Sequence, residues 1–498
     1  MAKDFLTASD FYRYLQCPHW PYWERFGDKK DRRPLTATEE KRLQGGLEHE
    51  KEVMESLDLP WKKIETMNKE EGFKQTLALM KAGEPLIYQG WLVDGDWAGK
   101  PDLLKQQEGE SAFGDWYYLP VDIKQAHELK KEHKAQLTFY AILLERIQKR
   151  FPTRPEIING DHECLWFDAE EFLDEFNGMK DALEQIRAGE MPEPVYRKAC
   201  VDTSPWGEAC FRLANERNDI ALLFNVDVRK LKNLRDLGVR TVEDAAGLDP
   251  LALEGKAPGL TLKALQSVQR QAQSLTQESV IVRKSFVDPM NTPSSSPSER
   301  GRALEIHFDI ESHPPTDTDY LYGFWIRPPA GGKGKEYYHA FVAEKPEDEE
   351  KMWKAFLAWL TTLPATYTVF HYAAYEPSRL TILANRYQDQ GNPWLGRFKS
   401  NLVDLKERAR DHATFPLYFY SLKAICKFLG YAWTGDVTNG GQSVEVYDQW
   451  RESGDRTLLE SIIHYNEHDV RATAFLLDWL RKHAKKETAY LPPFPWVK

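Results

Sequence analysis

Carboxylates that recur at short spacings in two distant parts of the chain are the residues best suited to chemistry. In the first part, Asp102 ends a Gly-Lys-Pro-Asp run that follows a strand-like stretch, and Asp122 and Lys124 are two residues apart. Alternation along a strand directs Asp122 and Lys124 to the same face. Two carboxylates offer hard oxygen ligands to Mg²⁺, and a neighbouring ammonium orients a water or stabilises charge on phosphorus. The pattern predicts a metal-dependent site for phosphodiester cleavage.

The second part supplies a larger acidic set. Asp309 and Glu311 alternate on one predicted strand, Glu376 opens a helix after another strand, and Tyr465 and Asp469 are four residues apart on a helix face. A pair of divalent ions roughly 3.5 to 4 Å apart needs several carboxylates from different elements. These spacings predict a second metal site.

Mixed helical and strand periodicities place both groups in α/β folds. In the first 195 residues, helices are predicted over 7–16, 37–57 and 129–150, with strands near 85–105 and 116–124. After residue 302, strands are predicted over 303–310, 320–326 and 337–342, and helices over 347–361, 376–387, 419–429 and 456–482. A multidomain α/β protein is therefore expected.

Composition limits the class of protein. The 498 residues predict about two to four domains, and 42% hydrophobic residues with 16 Trp and 22 Tyr suffice for packed cores. The net charge of -11 excludes a uniformly basic nucleic-acid coat, so a nucleic-acid partner would bind local basic patches. The sequence shows neither a signal-peptide pattern nor a long apolar run, and its five cysteines are an odd number, which together predict a cytoplasmic protein without a membrane span.

A Pro- and Ser-rich stretch over 288–302 predicts an interdomain linker, assigned to 277–302. Before it, residues 216–276 read as short helices around a turn at Gly238, followed by a similar second half. This module resembles a helix-hairpin-helix, which often binds the DNA backbone through turn amides and helix N-termini, and the resemblance makes Gly238 a substrate-binding position. A helical spacer is the alternative.

The residues of the first site also follow a family order. Gly46-x-x-His49, Asp102, Asp122-x-Lys124 and Gln136-x-x-x-Tyr140 resemble the RecB-type branch of the PD-(D/E)xK nucleases. The resemblance implies a restriction-endonuclease-like α/β core over 1–195. It also implies His49 and both aspartates as metal ligands, Lys124 as catalytic lysine, and Gln136 and Tyr140 against the substrate. A strand with ordinary surface charges is the alternative.

Several RecB-type nucleases hold an iron-sulfur cluster through one early and three later cysteines. Here Cys17 matches the first, and Cys200 and Cys210 match two of the later ones, in a segment assigned to 196–215. Ser204 stands where the middle cysteine would fall, and a serine is a poor iron ligand beside thiolates. The three cysteines are therefore expected to be a degenerate clasp or buried thiols. Cys164 and Cys426 lie in apolar segments and are expected in the core.

The acidic residues of the second part resemble the RNase H-like DEDD family of 3′-to-5′ exonucleases, tyrosine subtype, in a domain over 303–490 with a mixed sheet. The resemblance implies Asp309, Glu311, Glu376 and Asp469 as ligands of two Mg²⁺ or Mn²⁺, with Tyr465 orienting the water. The sequence departs from the family twice. Glu376 stands where Asp is usual, and His464 lies five residues before Asp469, which would also suit the histidine subtype.

The order of the parts resembles RecB-like nucleases over nearly the whole chain. It implies a Mg²⁺- or Mn²⁺-dependent DNA nuclease that acts in repair, recombination or defence against foreign DNA, with single strands or ends favoured and the first site dominant. One alternative is a ribonuclease that trims 3′ ends at the second site. Another is a nucleic-acid-binding adaptor with an inactive RNase H-like domain that recruits a separate helicase or nuclease.

Overall fold

The computed structural model describes residues 4–224, 226–291, 303–329 and 334–485. The chain divides into two compact units, Met1–Arg217 and Asn218–Lys498. Each unit has its own sheet and its own hydrophobic core. The helical segment predicted over 216–276 thus belongs almost entirely to the second unit.

The first unit combines helices and strands along its whole length. Its helices are α1 Ala8–Gln16, α2 Trp20–Phe26, α3 Ala37–Ser56, α4 Lys69–Ala82, α5 Lys131–Gln148, α6 Leu173–Arg187, α7 Lys198–Asp202 and α8 Gly207–Glu216. Its strands are β1 Lys62–Lys63, β2 Leu86–Tyr88, β3 Leu92–Asp94, β4 Trp97–Gly99, β5 Leu103–Ser111, β6 Gly114–Ile123, β7 Glu156–Ile158 and β8 Cys164–Trp166. The predicted helices over 7–16, 37–57 and 129–150 are confirmed to within two residues at each end.

Within the described residues, the first unit forms a mixed six-stranded sheet in the order β1-β2-β5-β6-β7-β8. Strands β5 and β6 are antiparallel, and β6 runs parallel to β7. Helix α5 packs against β6 of this sheet and also against the separate two-stranded sheet β3-β4, where Phe139 stacks on Trp97 at a centroid distance of 5.0 Å. This packing fixes β6, whose last residues carry Asp122, against α5, which carries Tyr140.

The second unit begins with a helical segment and continues into an α/β domain. Its helices are α9 Val228–Asp236, α10 Val242–Gly247, α11 Pro250–Leu253, α12 Leu262–Thr276, α13 Glu349–Leu360, α14 Tyr375–Arg386, α15 Pro393–Ser400, α16 Leu405–His412, α17 Leu422–Phe428, α18 Gly440–Ser453 and α19 Arg456–His483. Its strands are β9 Ile281–Val282, β10 Leu304–His313, β11 Thr318–Arg327, β12 Tyr337–Val342, β13 Tyr367–His371, β14 Leu402–Asp404 and β15 Ala413–Thr414. The strands and helices predicted here occur close to their expected bounds.

A five-stranded mixed sheet, in the order β12-β11-β10-β13-β14, organises the described part of this domain. The central strand β10 pairs antiparallel with β11 and parallel with β13. Stacked rings of Phe308, Phe324 and Phe356 fill one side of the sheet. Because side chains alternate on a strand, burial of Phe308 on that side directs Asp309 to the opposite side, towards α19.

Part of the predicted linker is ordered and belongs to the second unit. Strand β9 pairs antiparallel with β15, and Val282 is buried in a cluster with the end of α19. Asp288 forms an ion pair with Arg481 at 2.8 Å. Ile281 and Val282 are apolar and form strand β9 although a Pro- and Ser-rich stretch follows them. The remainder of the predicted linker, 292–302, lies outside the described residues.

The short helices before β9 pack on the same unit. The Gln271 side chain on α12 donates hydrogen bonds to the carbonyls of Phe415 and Leu417, and Phe224 stacks on Tyr420 at a centroid distance of 4.2 Å. Searching the described segments for a helix both long enough and apolar enough to cross a membrane identifies none.

Candidate active sites

The first acidic group lies where β6 ends beside the start of β5. The Lys124 Nζ atom is 3.2 Å from a carboxylate oxygen of Asp122 and 3.6 Å from one of Asp102. The amide of Ile123 donates to Asp102 Oδ2 at 2.7 Å, and the amide of Asp102 donates to Asp122 Oδ1 at 3.3 Å. These reciprocal bonds hold both carboxylates on one side of the sheet, so the structure brings together the three residues predicted from spacing.

Burial governs the electrostatics of this group. It raises the pKa of Asp102 to about 7, with Lys124 opposing the rise and Asp122 and Glu50 adding to it. Burial also works to lower the pKa of Lys124, but its ion pairs with Asp122 and Asp102 raise that pKa overall. The lysine therefore stays charged and partly neutralises the two carboxylates.

Glu50 is a candidate site residue that the sequence did not single out. It lies on α3, accepts hydrogen bonds from Tyr88 and Gln89 at 2.9 and 3.0 Å, and acts electrostatically on Asp102. Gln89 in turn accepts from the Lys100 ammonium at 3.2 Å. The sequence could have indicated Glu50, because it is an acidic residue directly after His49 on a helix that was already expected at the site.

His49 is grouped with a different set of residues in the first unit. Its ring is buried, and ligand atoms of His49, Glu52 and His162 all fall within 4.8 Å of one another. The His49 and His162 rings are 5.4 Å apart. Consecutive helix residues point about 100° apart, so one residue of the Gly-x-x-His-Glu run, Glu50, faces the aspartates while its neighbour faces His162. The assignment of His49 to the aspartate site remains a prediction without a supporting contact.

The predicted substrate-facing helix residues differ in burial. Tyr140 is buried on α5, its hydroxyl lies 3.4 Å from the carbonyl of Lys100, and burial followed by the charges of Asp122 and Asp102 raises its pKa. Gln136 is one turn earlier and half-exposed. Tyr140 thus borders the acidic group, while Gln136 has its side chain partly in solvent.

The second acidic group joins β10 to α19. Ligand oxygens of Asp309, Glu311 and Asp469 all lie within 4.8 Å of one another. Glu376, at the start of α14, is hydrogen-bonded to Asp309. The structure therefore brings together all four carboxylates predicted as ligands, from a strand and two helices.

Asn466 fixes the orientation of Asp309. Its Nδ2 donates to Asp309 Oδ2 at 2.8 Å, and its Oδ1 accepts from the Tyr338 hydroxyl at 2.9 Å. Gly323, paired with Asp309 across the sheet, makes room for this amide, because a Cβ at that position would lie 1.6 Å from Asn466 Oδ1. Sequence reasoning missed Asn466, although it adjoins Tyr465.

A tight turn before α14 orients Glu376. Ala373 has a φ of 74°, a strained value for a residue with a Cβ, and its amide donates to Asp404 Oδ1 at 3.0 Å. Asp404 also accepts from the amide of Lys406 at 2.8 Å as the N-cap of α16. Glu376 Oε2 is buried without a hydrogen bond from a described residue, and His371 Nδ1 lies 3.3 Å from it.

Tyr465, not His464, borders the carboxylates. The Tyr465 hydroxyl is hydrogen-bonded to Asp469 and accepts from the Lys423 ammonium at 2.7 Å. His464 is exposed and lies 3.1 Å from the Thr434 hydroxyl. The geometry therefore agrees with the tyrosine pattern and adds Lys423, which the sequence analysis overlooked.

Burial and mutual repulsion disfavour the ionised form of the carboxyls in the second group. Burial, and then Asp469 and Glu376, raise the pKa of Asp309 well above its usual value, and burial followed by Asp309 and Asp469 does the same for the pKa of Glu311. Burial raises the pKa of Glu376 to about 8. Clustered oxygen ligands, an unbonded buried Glu376 oxygen and raised pKa values all fit a site for hard divalent cations such as Mg²⁺ or Mn²⁺.

The remaining predicted residues are the cysteines and Gly238. Cys17, Cys200 and Cys210 are buried together, as expected for a clasp or a thiol cluster. Cys426 is buried, whereas Cys164 is exposed at the edge strand β8, so the core expectation for Cys164 is wrong. Gly238 has a φ of 87° in the turn after α9, and its assignment to substrate binding stays a prediction.

Comparisons with known proteins bear on the second unit. A search of curated proteins finds no match to this chain. A protein-family model, RNase_H_2 of the RNase_H superfamily, matches residues 306–481, which span β10 to the last turns of α19 and include all four carboxylates of the second group. Residues 306–481 therefore carry an RNase H-like domain, a fold associated with metal-dependent hydrolysis of nucleic acids.

Proposed function

We propose that the protein is a Mg²⁺- or Mn²⁺-dependent nuclease that hydrolyses phosphodiester bonds in DNA. Its first unit would carry a PD-(D/E)xK-type site and its second a 3′-to-5′ exonuclease site of the DEDD type. The observation that carries the proposal is the convergence of Asp309, Glu311 and Asp469 within 4.8 Å, inside a domain that matches the RNase_H superfamily. A role in DNA repair, recombination or defence accords with this chemistry.

In the second unit, Asp309, Glu311, Glu376 and Asp469 would hold the cations. When bound, a pair of such ions supplies Lewis acidity at phosphorus and a more acidic water. Asn466 keeps the Asp309 carboxylate turned towards its partners, and Trp433 does the same for Asp469 by donating from Nε1 to Oδ1 at 2.6 Å. Such hydrogen bonds to metal-binding carboxylates set the direction of their remaining lone pairs.

Tyr465 would orient the attacking water through its hydroxyl group. The Lys423 ammonium donates to this oxygen, so the tyrosine proton is directed away from the lysine, towards the Asp469 side where the carboxylates converge. Lys423 also brings a positive charge near the position of the substrate phosphate. Together they assign water positioning to Tyr465 and charge stabilisation to Lys423.

In the first unit, Asp102, Asp122 and Glu50 would hold a cation and Lys124 would stabilise negative charge on the phosphate. Lys124 lies 3.2 and 3.6 Å from the two aspartates, which is close enough to donate to a group bound between them. The rise in the pKa of Asp102 to about 7 means that cation binding would be coupled to proton release. Tyr140 closes the buried side of this group.

The helical segment of the second unit would bind the DNA backbone as a helix-hairpin-helix. Two turns contain a glycine with positive φ: Gly238 follows α9, and Gly259 precedes α12. The amide of Gly238 itself donates to the carbonyl of Arg235, so the helix N-termini beside the turns are the groups suited to phosphate oxygens. This segment is anchored to the RNase H-like domain by the Gln271 hydrogen bonds to Phe415 and Leu417, which supports a joint role in holding one strand.

The test is a cleavage time course with Mn²⁺ or Mg²⁺ on single- and double-stranded DNA labelled at either end. Wild type would be compared with Lys124→Ala and Asp309→Ala. Matched controls are Lys105→Ala, which removes an ammonium paired with Glu156 on the same sheet, and Glu460→Gln on the exposed face of α19. Each site variant should lose one class of product, and both controls should retain both classes.

The outcomes separate the proposal from its alternatives. Loss of all cleavage in Lys124→Ala alone would make the first site dominant, and loss in Asp309→Ala alone would make the second dominant. Cleavage of labelled RNA but not of DNA would indicate a 3′-trimming ribonuclease. Absence of metal-dependent cleavage by wild type, with DNA binding intact, would replace the nuclease by an adaptor.

A further inference from the structure

The two ends of the first unit meet at a buried cluster of three thiols and an imidazole. Cys17 directly follows α1, and His19 is the residue before α2. Cys200 lies in α7 and Cys210 in α8, near the end of the unit. The side chains of all four are buried, and Trp20, Trp23 and Tyr196 pack around the thiols. This cluster shares no residue with either acidic group and is given no part in the proposed hydrolysis.

The spacing of the thiols suits a single shared ion. Cys17 Sγ lies 3.6 Å from Cys210 Sγ, and ligand atoms of Cys17, His19 and Cys210 all fall within 4.8 Å of one another. The Cys200 thiol interacts with Cys17 and donates to the carbonyl of Val195 at 3.1 Å, a bond that its deprotonation on metal binding would replace. Two thiolates on one tetrahedral Zn²⁺ with Zn–S bonds of about 2.3 Å are roughly 3.8 Å apart. In a four-iron cluster each thiolate binds a different iron, which separates the sulfurs further.

Ser204 does not fit the position of a fourth thiolate. Its side chain is fully buried, and its Oγ accepts a hydrogen bond from the amide of Trp206 at 3.2 Å, which occupies the hydroxyl in the loop before α8. The residues present therefore do not match the four-cysteine iron-sulfur pattern implied by the family resemblance. They match three thiolates and one imidazole.

His19 has the second contact expected of a zinc-binding histidine. Its Nε2 lies 2.8 Å from the carbonyl oxygen of Pro192. When Nε2 carries the proton and donates to that carbonyl, Nδ1 carries the lone pair. A hydrogen bond from the other ring nitrogen to a carbonyl is the usual way in which metal-binding imidazoles are oriented.

Arg197 offsets the charge that such a site would carry. Three thiolates and one divalent cation leave one net negative charge in a buried place. The Arg197 guanidinium acts electrostatically on Cys200 and donates to the carbonyls of Leu15 and Gln16 at 2.6 and 3.2 Å. It therefore brings a positive charge to the cluster and fixes the backbone directly before Cys17.

We propose that Cys17, His19, Cys200 and Cys210 form a tetrahedral structural site for one Zn²⁺, in place of an iron-sulfur cluster. The ion ties the chain after α1 to α7 and α8, so it closes a loop that includes the whole six-stranded sheet of the first unit. Structural zinc sites contribute directly to folding free energy. The role of the ion is to hold the two ends of this unit together.

The test begins with the metal content of the full chain, produced with both iron and zinc supplied and purified without oxygen. The expected result is about one zinc per chain, little iron and no visible absorption. Cys210→Ser should lose the zinc and lower the thermal unfolding temperature, while Cys164→Ser, at the exposed cysteine, should keep both. Several irons per chain with broad visible absorption would overturn the proposal in favour of a cluster.

Two further results would also overturn it. A metal-free protein with five titratable thiols would make the cluster a set of buried cysteines. Two missing thiols, with a mass lower by two hydrogens, would indicate a Cys17–Cys210 disulfide. Either result would exclude the zinc site independently of whether the acidic groups cleave DNA.

A variant that preserves folding tests the histidine. Replacing the zinc of wild type by Co²⁺ should give the visible bands of a tetrahedral site with three sulfurs and one nitrogen. His19→Cys should still bind one Co²⁺, with stronger sulfur-to-metal charge-transfer absorption and bands shifted to longer wavelength. An unchanged Co²⁺ spectrum in His19→Cys would remove His19 from the site and contradict the proposed ligand set.

Discussion

The two acidic groups differ in how their charge is balanced before any cation binds. In the first unit, the Lys124 ammonium sits directly against Asp122 and Asp102, at 3.2 and 3.6 Å. In the second unit, Lys423 donates to the Tyr465 hydroxyl and reaches the carboxylates only through space. Carboxyls gathered without a direct ion pair favour their protonated form until a cation binds, so cation binding at the second group would displace protons.

The same difference extends to the supporting residues. Backbone amides and a lysine hold the carboxylates of the first group, whereas side-chain amide and indole groups hold those of the second. Because these indole and amide donors carry no charge, they do not neutralise the carboxylates of the second group when those are ionised. Under the proposed function, the first group would hold one cation with lysine assistance and the second a pair of cations.

Removing a carboxylate that is proposed to bind metal should have the largest effect. Asp469→Asn is expected to lower cleavage at the second site by roughly 10²- to 10³-fold, the scale on which removal of one electrostatic contact acts in active sites. Cleavage at the first site should remain. Product analysis on end-labelled DNA measures both, with Glu460→Gln on the same helix as the control. A loss shared equally by both sites would show that the two groups are not independent.

Stability should change in opposite directions at the two groups. Asp122→Asn removes one partner of the largely buried Lys124 and should lower the free energy of unfolding of the metal-free protein by about 3 kcal/mol. Asp309→Asn removes a carboxyl whose ionisation its neighbours oppose, and should raise the unfolding temperature of the metal-free protein at alkaline pH. Calorimetry in the presence of a chelator measures both. Destabilisation by Asp309→Asn would mean that Asn466 and Glu376 bind the charged form of Asp309 strongly enough to outweigh the repulsion.

Tyr465→Phe should have a smaller effect than loss of a carboxylate. The phenyl ring fills the same space, but the hydroxyl that contacts Asp469 and Lys423 is lost. We expect kcat at the second site to fall by roughly 10- to 100-fold, near the lower end of the range for groups that assist proton transfer or orient water. Metal affinity, followed by calorimetric titration, should change little. His464→Ala is the matched control, and a loss in that variant equal to the loss in Tyr465→Phe would favour the histidine instead.

The sequence predicted the parts of this molecule that depend on local spacing. Alternation on β10 and the four-residue spacing on α19 placed Asp309, Glu311, Tyr465 and Asp469 correctly with respect to one another, because one strand and one helix carry them. The bounds of the major helices followed from apolar periodicity for the same reason.

Residues that depend on the packing of distant segments could not be found in this way. Lys423 reaches Tyr465 across 42 residues, and Asn466 approaches Asp309 only because Gly323 lies between them on β11. Glu50 and His49 are adjacent in sequence, so only the rotation of α3 decides which of them faces Asp102. Sequence spacing shows which residues share one face of a helix or strand, but tertiary packing decides which distant residues that face contacts.

The pH dependence of stability should give the smallest effect, and it tests the raised pKa of one carboxyl in each acidic group. Asp102 and Glu376 have pKa values of about 7 and about 8, above the ordinary carboxyl range of about 4 in an unfolded chain. Between those limits the folded state binds more protons than the unfolded state. The stabilising contribution of each group is therefore complete below about pH 4 and is lost as the pH rises through 7 to 8.

Metal-free protein should accordingly unfold at a temperature a few degrees lower at pH 9 than at pH 7, as measured by calorimetry with a chelator. Glu376→Gln should reduce this fall, because the amide does not titrate, whereas Glu460→Gln should leave it unchanged. Mg²⁺ should raise the unfolding temperature more at pH 9 than at pH 7, since it binds the ionised carboxylates and competes with protons. If Mg²⁺ raised the unfolding temperature equally at pH 7 and pH 9, cation binding would not compete with protons at these carboxyls. The stabilisation by Mg²⁺ would then come from another part of the protein.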